Sequence, residues 1–237
     1  MQKQRSRAHA HPAQAGGCLV RLFKLALLIL VGLHLAAALA LVALRSIDPP
    51  TTGVQLERLV EALVQHAPYR KRYTFLPLRR ISPELQHAVI AAEDGRFYAH
   101  HGIDWKEVEQ VASDSYETGE VSRGASTLTQ QLVKNLFFTT HRNPLRKALE
   151  YTLAPLADAI LGKARVLELY LNEVEWGPGV YGAEAAAQYH YGASAALLTR
   201  EQSARLAACL PSPRRRRPAR MDQYSAVILE RMRQMGW

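Results

Sequence analysis

Two adjacent carboxylates, Glu93 and Asp94, end an apolar segment and could do acid–base chemistry. Residues 82–93 are predicted to form a helix, because Ser82 is a good N-cap and Pro83 suits the first helical position. The helix dipole disfavours anions at this end, and neighbouring carboxylates oppose each other's ionisation. At least one pKa should therefore be raised unless cations lie near, which suits a general base or acid. Acids near a helix end are also often solvated surface residues, and this pair alone does not decide.

A second polar segment, residues 123–135, combines hydroxyl, amide and ammonium groups on one side of a predicted helix. Helical spacing places Thr127, Gln131 and Lys134 in one stripe opposite a leucine stripe, and Ser126 is a candidate N-cap. Such a stripe suits an oxygen-rich ligand such as a sugar or a diphosphate. An ordinary amphipathic helix with its polar side in water has the same spacing, so both interpretations stay open.

A third group follows in residues 141–150, where Arg146 and Lys147 precede Glu150 by four and three positions. All three side chains can meet on one helix face. They could form a surface salt bridge worth under about 1 kcal/mol. They could equally form a carboxylate held beside cations that bind an anionic leaving group, and the spacing does not choose between the two.

The elements that carry these groups are predicted to be helices, with few strand-like alternations after residue 54. Asn143 and Pro144 should begin a long helix, which Pro155 should kink. The glycine-rich segment 175–182 is predicted to be a loop. The sequence therefore predicts a mainly α fold with one compact domain.

An apolar run at residues 25–44 precedes this domain. Twenty residues at about 1.5 Å each span roughly 30 Å, one hydrocarbon thickness. A cleavable signal would have a shorter apolar core, so an uncleaved anchor is favoured. Residues 1–24 carry five cations and no acid, so the positive-inside rule places them in the cytoplasm and the rest of the chain beyond the span.

The net charge of +9 could suggest a nucleic-acid binder, but much of the excess flanks the predicted span. Cys18 and Cys209 should lie on opposite sides of the membrane, so no disulfide is expected between them, and Cys209 should be a core residue. The spacing of histidines and cysteines indicates no zinc site.

Five segments, in chain order, resemble the motifs of glycosyltransferase family 51, the peptidoglycan transglycosylases. They are EDGRFYAHHGID, RGASTLTQQLVKN, RKALE, KARVLELYLN and GVYGAEAAAQYHYG. The resemblance covers roughly residues 75–213 and is greatest to the monofunctional biosynthetic enzymes of Gram-negative bacteria, since no penicillin-binding motif is present. It implies a single lysozyme-like helical transglycosylase domain after one transmembrane helix. The expected division is a cytoplasmic N-terminus 1–24, a span 25–44, a periplasmic linker with an entry helix 45–74 and the glycosyltransferase domain 75–237.

The resemblance also implies roles for individual residues. Glu93 matches the general base that takes the proton from the acceptor 4-hydroxyl of lipid II. That oxygen displaces undecaprenyl diphosphate from the growing strand with inversion. Glu150 matches the second acid, which assists departure of the diphosphate or holds the cations. The expected substrate-binding residues are Asp94, Ser126, Gln131, Lys134, Asn135, Arg142, Arg146 and Lys147, while His100 and Gly102 should shape the first motif.

Departures from the family pattern are few. Gln110 stands where relatives often carry a basic residue, and Tyr191 where phenylalanine is usual. The run Arg214–Arg217 should be a solvated charge run, although it could touch anionic lipid. No cofactor is required by the residues, but Mg²⁺ or Mn²⁺ could bridge Glu93 or Asp94 to the diphosphate.

The resemblance also implies the partners, which are lipid II, the growing glycan strand and membrane lipid. Other proteins of cell-wall synthesis or the divisome are further candidate partners, and no nucleic acid is expected. The expected location is the bacterial inner membrane, with the catalytic domain in the periplasm. Two alternatives remain. A lysozyme-like hydrolase would need no diphosphate site, so the cluster of Lys134, Arg142 and Arg146 argues against it. A non-catalytic scaffold is disfavoured because Glu93 and Glu150 are both present.

Overall fold

A computed structural model describes residues 13–119, 124–141 and 143–237. Its first element, α1, spans Ala13–Ala43, and Val20–Ala43 has a mean hydropathy of 2.7. This stretch is long and apolar enough to cross a membrane, as expected for residues 25–44. Most of its side chains are exposed, but Leu41 is fully buried against the domain.

The described part of the domain is built mainly of helices, which confirms the predicted fold class. These are α2 Gly53–Val64, α3 Pro83–Glu93, α4 Trp105–Thr118, α5 Leu128–Phe137, α6 Pro144–Glu173, α7 Ala183–Tyr191, α8 Arg200–Ala207 and α9 Asp222–Gln234.

The core forms where the apolar faces of these helices meet. Helix α5 packs along α6, and α3 packs against α8 and α9. Helix α2 contacts α5, and α1 contacts α6. Leu85, Val89, Leu132 and Leu167 are all at most 1% exposed. Hydrogen bonds from Leu128 and Gln131 of α5 hold the C-terminal end of α3, which brings the first two polar segments together.

A small sheet lies where a loop was predicted, so that prediction was wrong. Strands β1 Arg72–Tyr73, β2 Glu175–Gly177 and β3 Val180–Tyr181 have the order β1-β3-β2. β1 is parallel to β3, and β2 is antiparallel to it. Strands of two or three residues are too short to show alternation, and β1 lies far from its partner in sequence.

The break in α6 also differs from the prediction. The backbone stays helical through Pro155, and the non-helical residue is Gly162, with φ 73° and ψ 161°. Proline removes only one helical hydrogen bond, whereas a positive φ interrupts the helix and is tolerated chiefly by glycine. The start of α6 is as expected, with the side chain of Asn143 accepting a bond from the Leu145 backbone N–H at 2.8 Å.

The N-cap of α5 is Thr127, one residue after the candidate Ser126. Its hydroxyl accepts from the Gln130 backbone N–H at 3.1 Å, and its own N–H donates to the Gln130 side chain at 3.0 Å. This reciprocal pair is a capping box. The Thr127 hydroxyl also donates to the Gly102 carbonyl at 2.6 Å, so Thr127 is buried and structural. Ser126 is thereby left available for other contacts.

Candidate active site

Glu93, the last residue of α3, is held by a chain of hydrogen bonds that joins three helices. The Gln131 side-chain amide of α5 donates to Glu93 Oε2 at 2.8 Å. The Tyr170 hydroxyl of α6 donates to the Gln131 carbonyl oxygen at 2.9 Å. Because Tyr170 is fully buried, its hydroxyl fixes which end of the Gln131 amide faces the carboxylate. Tyr170 was not among the predicted site residues.

The pKa of Glu93 is raised, as the carboxylate pair suggested, but chiefly for another reason. Burial of the carboxylate is the largest cause, and the charge of Asp94 is the smallest. The hydrogen bond from Gln131 and the positive charges of Lys134 and Arg216 oppose the shift. A carboxylate with a raised pKa is a stronger base than an exposed one.

Asp94 has a different environment from its neighbour. The two Asp94 carboxylate oxygens lie 3.0 and 3.1 Å from His100 Nε2, and Oδ2 also accepts from the Leu128 backbone N–H at 2.9 Å. Asp94 is buried and ties the end of α3 to the start of α5. Its predicted contact with substrate remains a prediction, since both oxygens already have partners within the protein.

His100 and Gly102 shape this segment, in agreement with their expected role. Gly102 has a φ of 84°, and a Cβ there would lie 2.6 Å from the Ala154 carbonyl oxygen of α6. Only glycine permits this close approach. The loop after Asp94 is thus pressed against α6.

The third predicted group forms a cationic cluster beside Glu93. Arg146 pairs with Glu150, and Lys147 Nζ lies 3.2 Å from Glu150 Oε2. Lys147 also donates to the Ser126 hydroxyl at 2.8 Å. Glu150 is only 3% exposed, so this is no solvated surface bridge.

Lys134 completes the cluster from α5. Its pKa is lowered, first by burial and then by the charge of Arg146, while Glu150 and Glu93 act in the opposite direction. Within the described part of the chain, no carboxylate lies at ion-pair distance from its ammonium group. Three cations therefore surround one buried carboxylate, and the cluster keeps an excess of positive charge suited to an anion.

The remaining residues singled out from the sequence make no hydrogen bond or ion pair with the cationic cluster among the described residues. Asn135 is buried, and its Nδ2 has no hydrogen-bond partner among the described residues. Arg142 lies outside the described residues, so its contribution to the cluster stays a prediction. Gln110 is exposed and donates to Asp114 at 2.7 Å.

A cavity of about 480 Å³ opens beside Glu93. Glu93, Asp94 and Ser126 line one side of it, and Arg231 and Gln234 of α9 line another. Lys134 and Glu150 do not line it, but Ser126, which accepts from Lys147, does, so the cavity extends from Glu93 to the edge of the cationic cluster. The two α9 residues were not predicted, because nothing in the local sequence links this C-terminal helix to the first motif.

The basic run Arg214–Arg217 is only partly solvated. Arg215 is exposed, but Arg216 is half-buried, donates to the Ala208 carbonyl at 2.8 Å and lies over the Tyr224 ring. Its charge lowers the pKa of Glu93. The expectation of a solvated run was therefore wrong for Arg216, which the end of α8 holds in place.

One group in the described residues has the composition of a metal site: Glu57, Glu61 and His141, whose candidate ligand atoms lie within 4.8 Å of one another. Other bonds already occupy these carboxylates. The Thr140 backbone N–H donates to Glu57 at 2.7 Å, and Arg58 donates to both oxygens of Glu61. The group is therefore explained by ion pairs and hydrogen bonds within the protein.

The sequence is similar to known proteins along most of its length. The family model described as Transglycosylase matches residues 56–233. The biosynthetic peptidoglycan transglycosylase of Shewanella oneidensis is 46% identical over 213 residues, covering 88% of this chain and 90% of that protein. Its namesake from Ectopseudomonas mendocina is 43% identical over 220 residues, covering 91% and 89%. That of Pseudomonas aeruginosa is 42% identical over 207 residues, covering 85% and 89%. The chain belongs to the transglycosylase family.

Proposed function

We propose that this peptidoglycan glycosyltransferase of cell-wall synthesis polymerises lipid II into β-1,4-linked strands, with Glu93 as general base. One observation carries the proposal: the carboxylate of Glu93 lines a cavity whose wall also includes Ser126, the hydrogen-bond partner of Lys147 in the cationic cluster. A displacement reaction needs a base at the attacking group and positive charge at an anionic leaving group.

The proton step uses the free oxygen of Glu93. Oε2 accepts the bond from Gln131, whereas Oε1 accepts none from the described residues. Oε1 takes the proton of the acceptor 4-hydroxyl as that oxygen bonds to C1 of the donor sugar. Burial raises the pKa of Glu93, which makes its carboxylate a stronger base than an exposed glutamate.

The leaving group departs toward the cations. The C1–oxygen bond to undecaprenyl diphosphate breaks, and its electron pair remains on the diphosphate. Lys134, Arg146 and Lys147 stabilise this charge, while Glu150 holds two of them in place through its own ion pairs. Arg142 joins them by family resemblance.

The cavity beside Glu93 then receives the acceptor. In a single inverting displacement, the attacking oxygen and the leaving group lie on opposite sides of C1. We place the acceptor in the part of the cavity lined by Glu93 and α9, and the diphosphate toward Ser126 and the cations. Arg231 at its edge donates to the Ala91 carbonyl oxygen at 3.4 Å, forms no ion pair among the described residues, and can meet an anionic part of the acceptor.

The membrane arrangement is also a proposal. The apolar stretch Val20–Ala43 acts as a single-pass anchor in the bacterial inner membrane, with the N-terminus cytoplasmic and the domain periplasmic. This arrangement brings the site to the lipid tail of its substrate. Other proteins of cell-wall synthesis or division are candidate partners of the periplasmic domain.

A divalent cation is compatible with the site but has no protein cage there. Both Asp94 oxygens have partners, as do those of Glu150, which leaves Glu93 Oε1 as the available carboxylate oxygen. We propose that any Mg²⁺ or Mn²⁺ would be held mainly by the substrate diphosphate. Polymerisation rates measured with chelator and with added metal test this.

The test of the reaction itself uses the purified full chain and labelled lipid II. Products separated on a gel should form a ladder of glycan strands that a muramidase degrades. Glu84→Gln is a matched control, because Glu84 lies on the same helix and makes only a half-exposed pair with Arg200 at 3.2 Å. Release of shortened strands from preformed glycan, with no ladder from lipid II, would instead indicate a hydrolase.

A further inference from the structure

Helix α2 is amphipathic, but it turns its apolar side chains outward and buries polar ones against the domain. Its large apolar side chains are exposed to between 38% and 74%: Leu56, Leu59, Val60, Leu63 and Val64. Their spacing places them in one stripe, here called the apolar face of α2. Its buried residues are Val54, Gln55 and Glu57, two of which are polar. A helix that buries polar groups and exposes leucines needs an apolar environment on its outer side.

Hydrogen bonds to the domain fix this orientation. Gln55 donates to Glu173 at 2.9 Å, and Thr140 donates to Glu57 from both its N–H and its hydroxyl. Arg58 lies 3.2 Å from Glu175. The helix cannot roll its apolar face inward without breaking these buried contacts, so the exposure is built into the fold.

The apolar face also lies close to the end of the membrane-compatible stretch. Nine residues separate the end of α1 from the start of α2. Arg165 of α6 donates to the Leu44 carbonyl at 2.8 Å and to the Ile47 carbonyl at 3.1 Å, which fixes the exit of α1 on the domain. Glu173, which accepts the hydrogen bond from Gln55 of α2, lies eight residues after Arg165 on α6, or about 12 Å along the helix. Contacts on one helix, α6, therefore fix both the exit of α1 and the start of α2.

Basic residues border the C-terminal half of α2. Arg214 lies 3.4 Å from Glu61, and Arg70 and Arg214 line a cavity beside Glu61 and Gln65 of this half. Exposed arginines at the edge of an apolar helix face favour anionic lipid headgroups.

We propose that the apolar face of α2 lies in the interfacial layer of the leaflet where α1 leaves the bilayer. This inference rests on the membrane anchor of the proposed function, but on no catalytic residue. Two separate contacts with the membrane, α1 and α2, fix the rotation of the domain about the anchor. The cleft at Glu93 then meets the bilayer at one angle.

The experiment places a fluorescent label on single cysteines in the full chain with Cys18→Ser. Cys209 is fully buried and should not react. The test position is Leu63→Cys. Leu33→Cys, within α1, reports lipid contact, and Leu197→Cys, 75% exposed in a distant turn, reports water. Each protein is placed singly in lipid nanodiscs containing phosphatidylglycerol and checked for lipid II polymerisation. Quenching by nitroxide lipids and by iodide is then measured.

The label at Leu63 should be quenched several-fold more by shallow nitroxide lipids than the label at Leu197, and less by iodide. If Leu63 behaves like Leu197 while Leu33 responds to lipid, the inference is wrong and the anchor stands. If Leu33 also fails to respond, the anchor itself is wrong. Protection of Leu63 from iodide without nitroxide quenching would mean that protein, and not lipid, covers the apolar face, which also overturns the proposal.

Discussion

Replacing Tyr170 by phenylalanine tests whether the buried hydrogen-bond chain sets the basicity of Glu93. The Tyr170 hydroxyl donates to Gln131, whose amide then donates to Glu93. Burial raises the pKa of Tyr170 well above its ordinary value, so this hydroxyl remains a proton donor throughout the working range. Tyr170→Phe removes the donor and leaves the half-buried Gln131 carbonyl oxygen without this partner.

The magnitude follows from the geometry. A buried acceptor left unpaired costs about 1 to 3 kcal/mol, and this half-buried oxygen should lie at the lower end of that range. Gln131 can relieve this cost by turning away, which weakens its bond to Glu93. Since that bond lowers the pKa of Glu93, its loss should raise the pKa further, by about one unit for each 1.4 kcal/mol lost. The base then becomes available only at higher pH.

Initial rates of lipid II polymerisation across about pH 5 to 9 measure this effect. The acid limb of the Tyr170→Phe profile should move upward by about one pH unit, with a smaller change in the maximal rate. Tyr181→Phe is the matched control, because Tyr181 is also fully buried but its hydroxyl contacts Tyr69 at 3.5 Å, away from Glu93. If the acid limbs of both variants coincide with that of the unmodified protein, the chain does not tune the base.

Three other perturbations have defined outcomes. Burial raises the pKa of Glu173 to about 7 from an ordinary 4.5. Between these two pH values the folded protein holds a proton that the unfolded chain has lost, so the free energy of unfolding should fall by on the order of 3 kcal/mol as pH rises from about 4.5 to 7. Glu173→Gln should flatten thermal stability over that window, and an unchanged pH profile would contradict the assignment. Lys134→Ala should lower kcat/KM for lipid II by about 10- to 150-fold, through loss of a charge-assisted contact worth about 1.5 to 3 kcal/mol, and a change under twofold would remove Lys134 from the site. Gly102→Ala should lower the unfolding midpoint strongly, because its Cβ would meet the Ala154 carbonyl, and a midpoint equal to that of Gly124→Ala, where a Cβ has open space, would refute this.

Local spacing predicted the parts of the site that lie within one helix. Arg146, Lys147 and Glu150 meet because residues three and four apart share a helix face. The end of α3 at Glu93 was predicted from the apolar run that precedes it. These features depend on neighbours in sequence and need no knowledge of tertiary packing.

Features that depend on distant residues were not predictable in the same way. Gln131 lies 38 residues from Glu93 in the sequence, and Tyr170 lies another 39 residues further on. Only the tertiary arrangement of α3, α5 and α6 joins the three side chains. The wall of the cavity formed by α9 has the same origin. The break in α6 was misplaced because proline was given more weight than Gly162, whose left-handed backbone is visible only in the fold.

The central claim, that Glu93 is the base, is tested most directly by Glu93→Gln in the lipid II polymerisation assay. Glutamine keeps the shape of the side chain and a carbonyl oxygen that can face Gln131, but it cannot take the proton. Turnover should fall by at least the roughly 10²- to 10⁴-fold that general-base catalysis supplies, with native folding and Glu84→Gln at full activity. A Glu93→Gln protein that polymerises lipid II at nearly the unmodified rate would contradict the claim.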